Sequence, residues 1–321
     1  MLNILYCFDS NYNIQALVSI TSLIKNVKSK LNIYIIHDNP ESFKKYLNKI
    51  NQDNIHMEFF KFNDSNYDFP RVKNTHVSIA TYYRLFISNY LDSDIGTVLY
   101  LDADTVCIQD FSAEIKELQQ KIISENILFS VSSDEYFKGT LDRLSMKGGK
   151  YFNAGVMLIN LDKWEKDKVG EKLINTMKEN YENIVWWDQD ILNKYIDGEY
   201  LELNYDLNYR MDFDKNPSLE KGKILHFLGD LKPWNPETIN SDFSNIYQNY
   251  FRIATGKKFH IVFNKKSFKN TLKILRSKRK ILDFRNFVDF LLPFSTSFLR
   301  RTKFETKKFL KKLRAKFSKN N

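Results

Sequence analysis

The sequence predicts an α/β protein built on parallel strands, and three features carry the prediction. Continuous apolar runs of strand length recur along the first third of the chain, each closed by turn-forming residues. Between these runs, apolar residues recur three and four apart, the spacing that lines one face of a helix. Strands buried on both faces read as unbroken apolar runs rather than as alternation, so helices must cover the sheet on either side.

The elements follow in order. Residues 2–8 (LNILYCF) are a buried strand that stops at the turn Asp9-Ser10-Asn11. Ile14, Leu17, Val18, Thr21 and Ile24 then mark a helix, residues 32–37 a second strand, 41–50 a second helix and 55–60 a third strand. Over 76–90, Ile79, Tyr82, Tyr83, Phe86 and Ile87 keep helical spacing. A further apolar run, 97–101, ends abruptly in Asp102-Ala103-Asp104. Ligands of open α/β sheets bind beyond the carboxyl ends of the strands, which puts this acidic pair where a site is expected.

At 321 residues, with 43% hydrophobic and 27% charged side chains, the chain can bury one sizeable core and carry a modest appendage, and its composition is neither disordered nor collagen-like. Its two cysteines, Cys7 and Cys107, are too few for a disulfide framework and read as small hydrophobes in a reducing compartment. No signal peptide and no apolar stretch of bilayer length stand out, so the expected location is the cytoplasm. Residues 257–321 hold 21 Lys and Arg against 3 acidic residues, a balance of +18, whereas residues 1–256 hold 28 against 36, a balance of −8. A boundary near Gly256 therefore divides a catalytic domain, 1–256, from a basic tail, 257–321.

An Asp-x-Asp pair offers two oxygen ligands to a hard divalent cation that keeps open positions for phosphate oxygens. The pattern occurs four times, at Asp92/Asp94, Asp102/Asp104, Asp188/Asp190 and Asp212/Asp214, and most such pairs are solvated turns. Context selects Asp102/Asp104, which alone follows a fully apolar run. His226 closes the short apolar run Ile224-Leu225, where a neutral imidazole can complete a site begun by the two aspartates. Gly229 and Lys232 follow within one loop and supply close backbone approach and a cation suited to a diphosphate.

Five blocks in unbroken order over residues 2–256 resemble the family 8 glycosyltransferases. They are Phe8-Asp9-Ser10-Asn11-Tyr12, Thr81-Tyr82-Tyr83-Arg84-Leu85 before the acidic pair, the strand from Tyr151 to Leu161, Trp187-Asp188-Gln189-Asp190, and the loop from His226 to Trp234 with its His-x-x-Gly-x-x-Lys-Pro-Trp spacing. The resemblance implies a GT-A type, Rossmann-like mixed sheet flanked by helices. It also implies retaining transfer of galactose or glucose from a UDP-sugar to a saccharide acceptor in lipopolysaccharide, capsule or glycolipid synthesis.

Carried over block by block, the resemblance assigns Asp102, Asp104 and His226 to manganese or magnesium. Gly229 and Lys232 go to the donor diphosphate, with Pro233 and Trp234 locking their loop. Asp9 and Asn11, turn formers by residue type, fall where the family grips base and ribose. Arg84, a surface ion-pair former by pattern, faces the donor by family position. Asn153 precedes Ala154 and Gly155, a small pair that lets a ligand approach the sheet. Asp134 and Asp188 hold sugar hydroxyls, Gln189 lies nearest the anomeric carbon, and His76 and Tyr151 border the acceptor. An amide is a poor nucleophile, so Gln189 favours front-face displacement over a covalent carboxylate intermediate. Two alternatives stay open: an inverting transferase using an Asp188/Asp190 base, and a scaffold that binds nucleotide sugar or lipid without turnover.

In the basic tail, Leu310, Leu313 and Phe317 share one helical face with lysines around it, and the apolar stretch 287–294, broken by Asp289 and Pro293, is too short to span a bilayer. Anionic headgroups attract such a segment by about 1 kcal/mol per basic residue near the surface. On a transferase body the interleaved Phe residues favour peripheral attachment to the inner face of the cell membrane over a solvated tail or a nucleic-acid partner.

Overall fold

A computed structural model describes residues 1–50, 54–63, 67–70, 78–134, 138–211 and 221–262. The first compact unit runs from Met1 to Met211 and takes in the segment ending at Phe227. It opens with β1 (Leu2–Phe8), α1 (Asn13–Asn26), β2 (Leu31–His37), α2 (Pro40–Lys44) and β3 (Ile55–Lys61). Then come β4 (Thr97–Leu101), β5 (Thr105–Cys107), α3 (Ser112–Ser124), β6 (Phe129–Ser133), α4 (Lys138–Arg143) and β7 (Phe152–Asn160). α5 (Leu161–Lys166), α6 (Val169–Glu179), α7 (Trp187–Ile196), β8 (Leu201–Glu202), β9 (Tyr209–Met211) and β10 (Ile224–Phe227) complete it.

The main sheet has the order β3-β2-β1-β4-β7-β6-β8. Its first four strands are mutually parallel, β7 runs antiparallel to both β4 and β6, and β8 is parallel to β6. The expected α/β class holds, and the sheet is mixed. All residues of β4 and β7 are buried; β4 reads as an unbroken apolar run, and β7 as an apolar stretch that also buries Asn153 and Asn160. A smaller sheet, β5-β10-β9, pairs β10 antiparallel to β5 and parallel to β9. Tyr6 and Ser19 hydroxyls meet at 3.0 Å and Ser19 meets Thr105 at 3.0 Å, so a buried chain of hydroxyls ties β1, α1 and β5 together.

One expected helix differs in kind. Residues Ile79–Asn89 form a 3₁₀ run with non-helical backbone at Phe86 (φ −111°, ψ 18°). Apolar spacing of three and four does not separate 3.0 from 3.6 residues per turn over so short a stretch. Aromatic packing holds the segment: Tyr83 stacks on Phe62 at 3.8 Å and Tyr82 on Phe69 at 4.7 Å. The expected helix over 41–50 is α2 followed by a 3₁₀ turn, Leu47–Lys49.

The described part of the second unit, residues 228–262, centres on α8 (Asp242–Thr255). Ser241 caps its start through Ser244 N–H, and Gly256 ends it in the left-handed conformation, φ 68°. Gln248 donates to the Pro233 and His260 carbonyls at 3.0 and 2.9 Å and accepts from His260 N–H at 2.8 Å. Burial lowers the His260 imidazole to about 3 and keeps it neutral beside the Tyr247 hydroxyl, 2.7 Å away. Among the described residues no helix is long and apolar enough to cross a membrane. His76 and residues 263–321, with most of the basic tail, lie outside the described residues.

Candidate metal centre and active site

β4 delivers Asp102 to the carboxyl end of the sheet, where one bond to β7 and one across the turn that follows hold its backbone. Asp102 N–H donates to Gly155 O at 2.8 Å, and the Thr105 hydroxyl donates to Asp102 O at 2.8 Å. The Tyr100 hydroxyl and Arg84 Nη2 both donate to Asp102 Oδ1, at 2.5 and 2.7 Å. Oδ2 is left facing His226 Nε2 at 3.7 Å, and Asp104 Oδ1 lies 3.4 Å from the same nitrogen. β10 brings His226 there by pairing with β5, and Phe227 N–H donates to Asp104 O at 3.2 Å. One ligand atom from each of the three residues lies within 4.8 Å of the others. The side chains of Asp102, Asp104 and His226 are 27%, 12% and 5% exposed, so the trio is open on the aspartate side. Two carboxylates and an imidazole suit Mn²⁺ or a similar divalent ion with positions left for outside ligands.

Gly155 has a different role from the one expected. A Cβ there would lie 2.0 Å from His226 Cε1, so the small residue makes room for the histidine ring rather than for a ligand. Gly155→Ala should displace the ring and weaken Mn²⁺ binding at least about tenfold, on the scale of losing a partner that orients a metal ligand. An electron paramagnetic resonance titration of Mn²⁺ reads this directly, and wild-type affinity in the variant would show that the ring can move at no cost.

Arg84 is not a surface pair former. Its guanidinium is buried, with Nη2 on Asp102, Nε 3.0 Å from Asp188 Oδ2 and Nη1 donating to Ala154 O at 2.7 Å. It stacks 3.9 Å from the Tyr100 ring centre. The 3₁₀ segment packs Arg84 beneath the acidic pair, where it positions Asp102 and Asp188 together. Burial pushes the Asp188 carboxyl up to about 6, while Arg84 and the Thr81 hydroxyl, which donates to Oδ1, pull it back.

Gln189 is fixed on both sides of its amide. Oε1 accepts from Ala154 N–H at 3.0 Å and from Asn153 Nδ2 at 3.2 Å, and Nε2 donates to the Tyr151 hydroxyl at 3.3 Å. Tyr151 in turn donates to Asp190 Oδ1 at 2.7 Å. Tyr151, expected at the acceptor, is 2% exposed, and Asp190 holds its hydroxyl inside the protein. Asp190 is paired with Arg143 at 2.8 and 3.1 Å and accepts from the N–H groups of Val185 and Trp186 at the start of α7. Its lone pairs are therefore occupied by the fold.

The remaining expected residues are more scattered. Asp9 and Asn11 form a turn beyond β1, with Asn11 N–H and Nδ2 donating to the Asp9 carboxylate at 2.9 and 3.3 Å. Asp134 Oδ2 lies 3.3 Å from Arg210 Nη1. Gly229, in the left-handed conformation at φ 74°, and the buried Lys232 belong to the second unit, where the Thr238 hydroxyl donates to Lys232 O at 2.6 Å. Asn208 went unnoticed in the sequence. It closes a 3₁₀ turn, Tyr205–Asn208, is 0% exposed, and its Oδ1 lies 3.1 Å from His226 Nδ1. No motif marks it.

A mixed sheet flanked by helices, with an acidic pair at the end of a central strand, is the GT-A type of glycosyltransferase fold. The solved structure of the galactosyltransferase LgtC with donor and acceptor sugar analogues shares it, with a TM-score of 0.64 at 20% identity over 84% of this chain and 100% of that one. The sequence model for glycosyl transferase family 8 matches residues 3–238, and the chain belongs to that family. It is 30% identical over 258 residues to the lipopolysaccharide 1,3-galactosyltransferase of Salmonella typhimurium, covering 73% of each chain. It is 27% identical over 286 residues to general stress protein A of Bacillus subtilis, covering 82% of this chain and 96% of that one.

Proposed function

We propose that this glycosyltransferase moves galactose or glucose from a UDP-sugar to a saccharide acceptor in cell-surface glycan synthesis, with retention at the anomeric carbon. The observation that carries the proposal is the convergence of Asp102, Asp104 and His226 on one point at the carboxyl end of the sheet. Relatives named as lipopolysaccharide 1,3-galactosyltransferase and 1,2-glucosyltransferase support the sugar and acceptor classes. When bound there, Mn²⁺ or Mg²⁺ supplies Lewis-acid stabilisation of the departing diphosphate. Arg84 and Tyr100 hold Asp102 so that Oδ2 faces the ligand position. Both acceptor positions of Gln189 Oε1 are taken by protein donors, so the amide is a fixed polar wall and not a nucleophile. Asp188 and Asp190 are each locked to an arginine, which leaves neither as a free base. These constraints support front-face displacement, in which the acceptor hydroxyl attacks on the side from which UDP leaves. By resemblance Asp9 and Asn11 hold base and ribose, Asn153, Ala154, Asp134 and Asp188 the sugar, Gly229 and Lys232 the diphosphate, and His76 the acceptor.

Proton NMR of the fresh glycoside from UDP-galactose or UDP-glucose tests the stereochemistry. The donor's anomeric coupling should persist, and an inverted coupling would assign the chain to the inverting class.

The basic tail is proposed to bind anionic membrane surface, because its +18 balance is interleaved with Phe and Leu. Val262 N–H donates to Trp234 O at 2.8 Å and His260 packs on α8, so the suitable truncation is after Val262. Removing 263–321 should abolish sedimentation with phosphatidylserine vesicles while leaving UDP release within about twofold, since binding near the surface gains about 1 kcal/mol per basic residue. Equal sedimentation of both forms would refute the anchor, and tail-dependent binding to RNA alone would point to nucleic acid.

A further inference from the structure

We infer that Asn208 selects the metal-binding tautomer of His226 and, through Asn153, ties that ligand to Gln189. This deepens the metal-centre proposal and rests on it. The orientation of every amide in the chain of contacts follows from two backbone donors. Gly155 N–H points at Asn153 Oδ1, 3.1 Å away, which makes that atom an acceptor and turns Asn153 Nδ2 toward Gln189. Ala154 N–H likewise fixes Gln189 Oε1 as an acceptor at 3.0 Å. The Asn208 atom that meets Asn153 Oδ1 at 3.0 Å must then be its Nδ2. Asn208 Oδ1 is therefore the atom facing His226 Nδ1, and it requires a proton there. Neutral imidazole carries one N–H, so Nε2 presents its lone pair toward Asp102 Oδ2 and Asp104 Oδ1. A bare nitrogen aimed at two carboxylates is an arrangement that a shared cation resolves.

Asn208 is fully buried, so its carbonyl is out of reach of bulk water. Its two ends do separable things: Oδ1 sets the histidine tautomer, and Nδ2 holds Asn153 under Gln189. Asn208 and Asn153 are positioning residues.

The test uses the full chain, metal-free and loaded with Mg²⁺, in long-range proton–nitrogen NMR at alkaline pH where imidazole is neutral. Wild-type His226 should carry its proton on Nδ1 in both forms, and a proton on Nε2 in the metal-free protein would overturn the inference whatever the donor sugar proves to be. Asn208→Leu removes the acceptor and should lower Mn²⁺ affinity about 10–100-fold, the usual cost of losing a partner of a metal-bound histidine. Asn208→Asp keeps the acceptor and loses the donor, so Mn²⁺ affinity should stay within about threefold while kcat for UDP release falls about tenfold. Wild-type affinity in Asn208→Leu, or parallel loss of affinity in both variants, would contradict the division of roles. Should Asn208→Leu not fold, the wild-type tautomer and Asn208→Asp still decide the matter. Mn²⁺ binding that Asn208 does not influence would refute this relay and leave the metal centre standing.

Discussion

Asp104→Asn should reduce UDP release from the donor at least about a hundredfold, because a direct ligand is worth more than the ~10–100-fold that an orienting partner supplies. The carboxylate oxygen nearest His226 Nε2, at 3.4 Å, becomes a neutral amide, and one of the two charges that would hold the proposed divalent ion disappears. The fold should survive: the backbone carbonyl of Asp104, not its side chain, pairs with Phe227 N–H. A thermal transition within about 2 °C of the wild type, corresponding to about 1 kcal/mol in a chain of this size, separates lost chemistry from lost structure. Activity within about threefold of the wild type would remove Asp104 from the centre.

Arg84→Met should produce the largest loss of stability of any change at the site. The guanidinium neutralises Asp188, which is buried, and it also serves Asp102 and Ala154 O. Breaking a buried pair by removing one partner costs about 3–5 kcal/mol, since the remaining charge is left in a poorly solvated place. Lysine is no substitute, because one ammonium does not reach three separately placed acceptors in a plane. The double variant Arg84→Met with Asp188→Leu should recover part of the loss by removing the stranded carboxylate as well. Urea midpoints measure all three proteins. A single variant within about 0.5 kcal/mol of wild type would mean that water already solvates Asp188 in the native protein.

The sequence was most legible where the fold buries whole strands. β1, β2 and β4 are largely apolar runs bounded by turns and are buried at nearly every position, so sequence and burial agreed, whereas the outer strand β3 carries His56 and Glu58 and has no fully buried residue. The small sheet was harder to see. β5 and β9 have three residues each and β10 has four, too short for any period to emerge, and β10 reaches β5 across more than a hundred intervening residues. Asp102, Asp104 and His226 were legible because their residue types are those of a metal site and their neighbours are apolar. Their support was not. Arg84 looks like any helical surface arginine until the 3₁₀ segment is packed under β4, and Tyr151 looks like a sugar-facing aromatic until Asp190 captures its hydroxyl. Asn208 carries no signal, since a lone asparagine in a turn is common and only its burial beside His226 distinguishes it.

The proposed activity is metal-dependent cleavage of a UDP-hexose at the Asp102–Asp104–His226 centre. UDP release from UDP-galactose and UDP-glucose, followed without acceptor in Mn²⁺ and again in excess chelator, tests it most directly. Release from at least one donor should occur in Mn²⁺, stop with chelator and return when Mn²⁺ is restored. Undiminished release in chelator, or cleavage of neither UDP-hexose by metal-loaded protein, would contradict it.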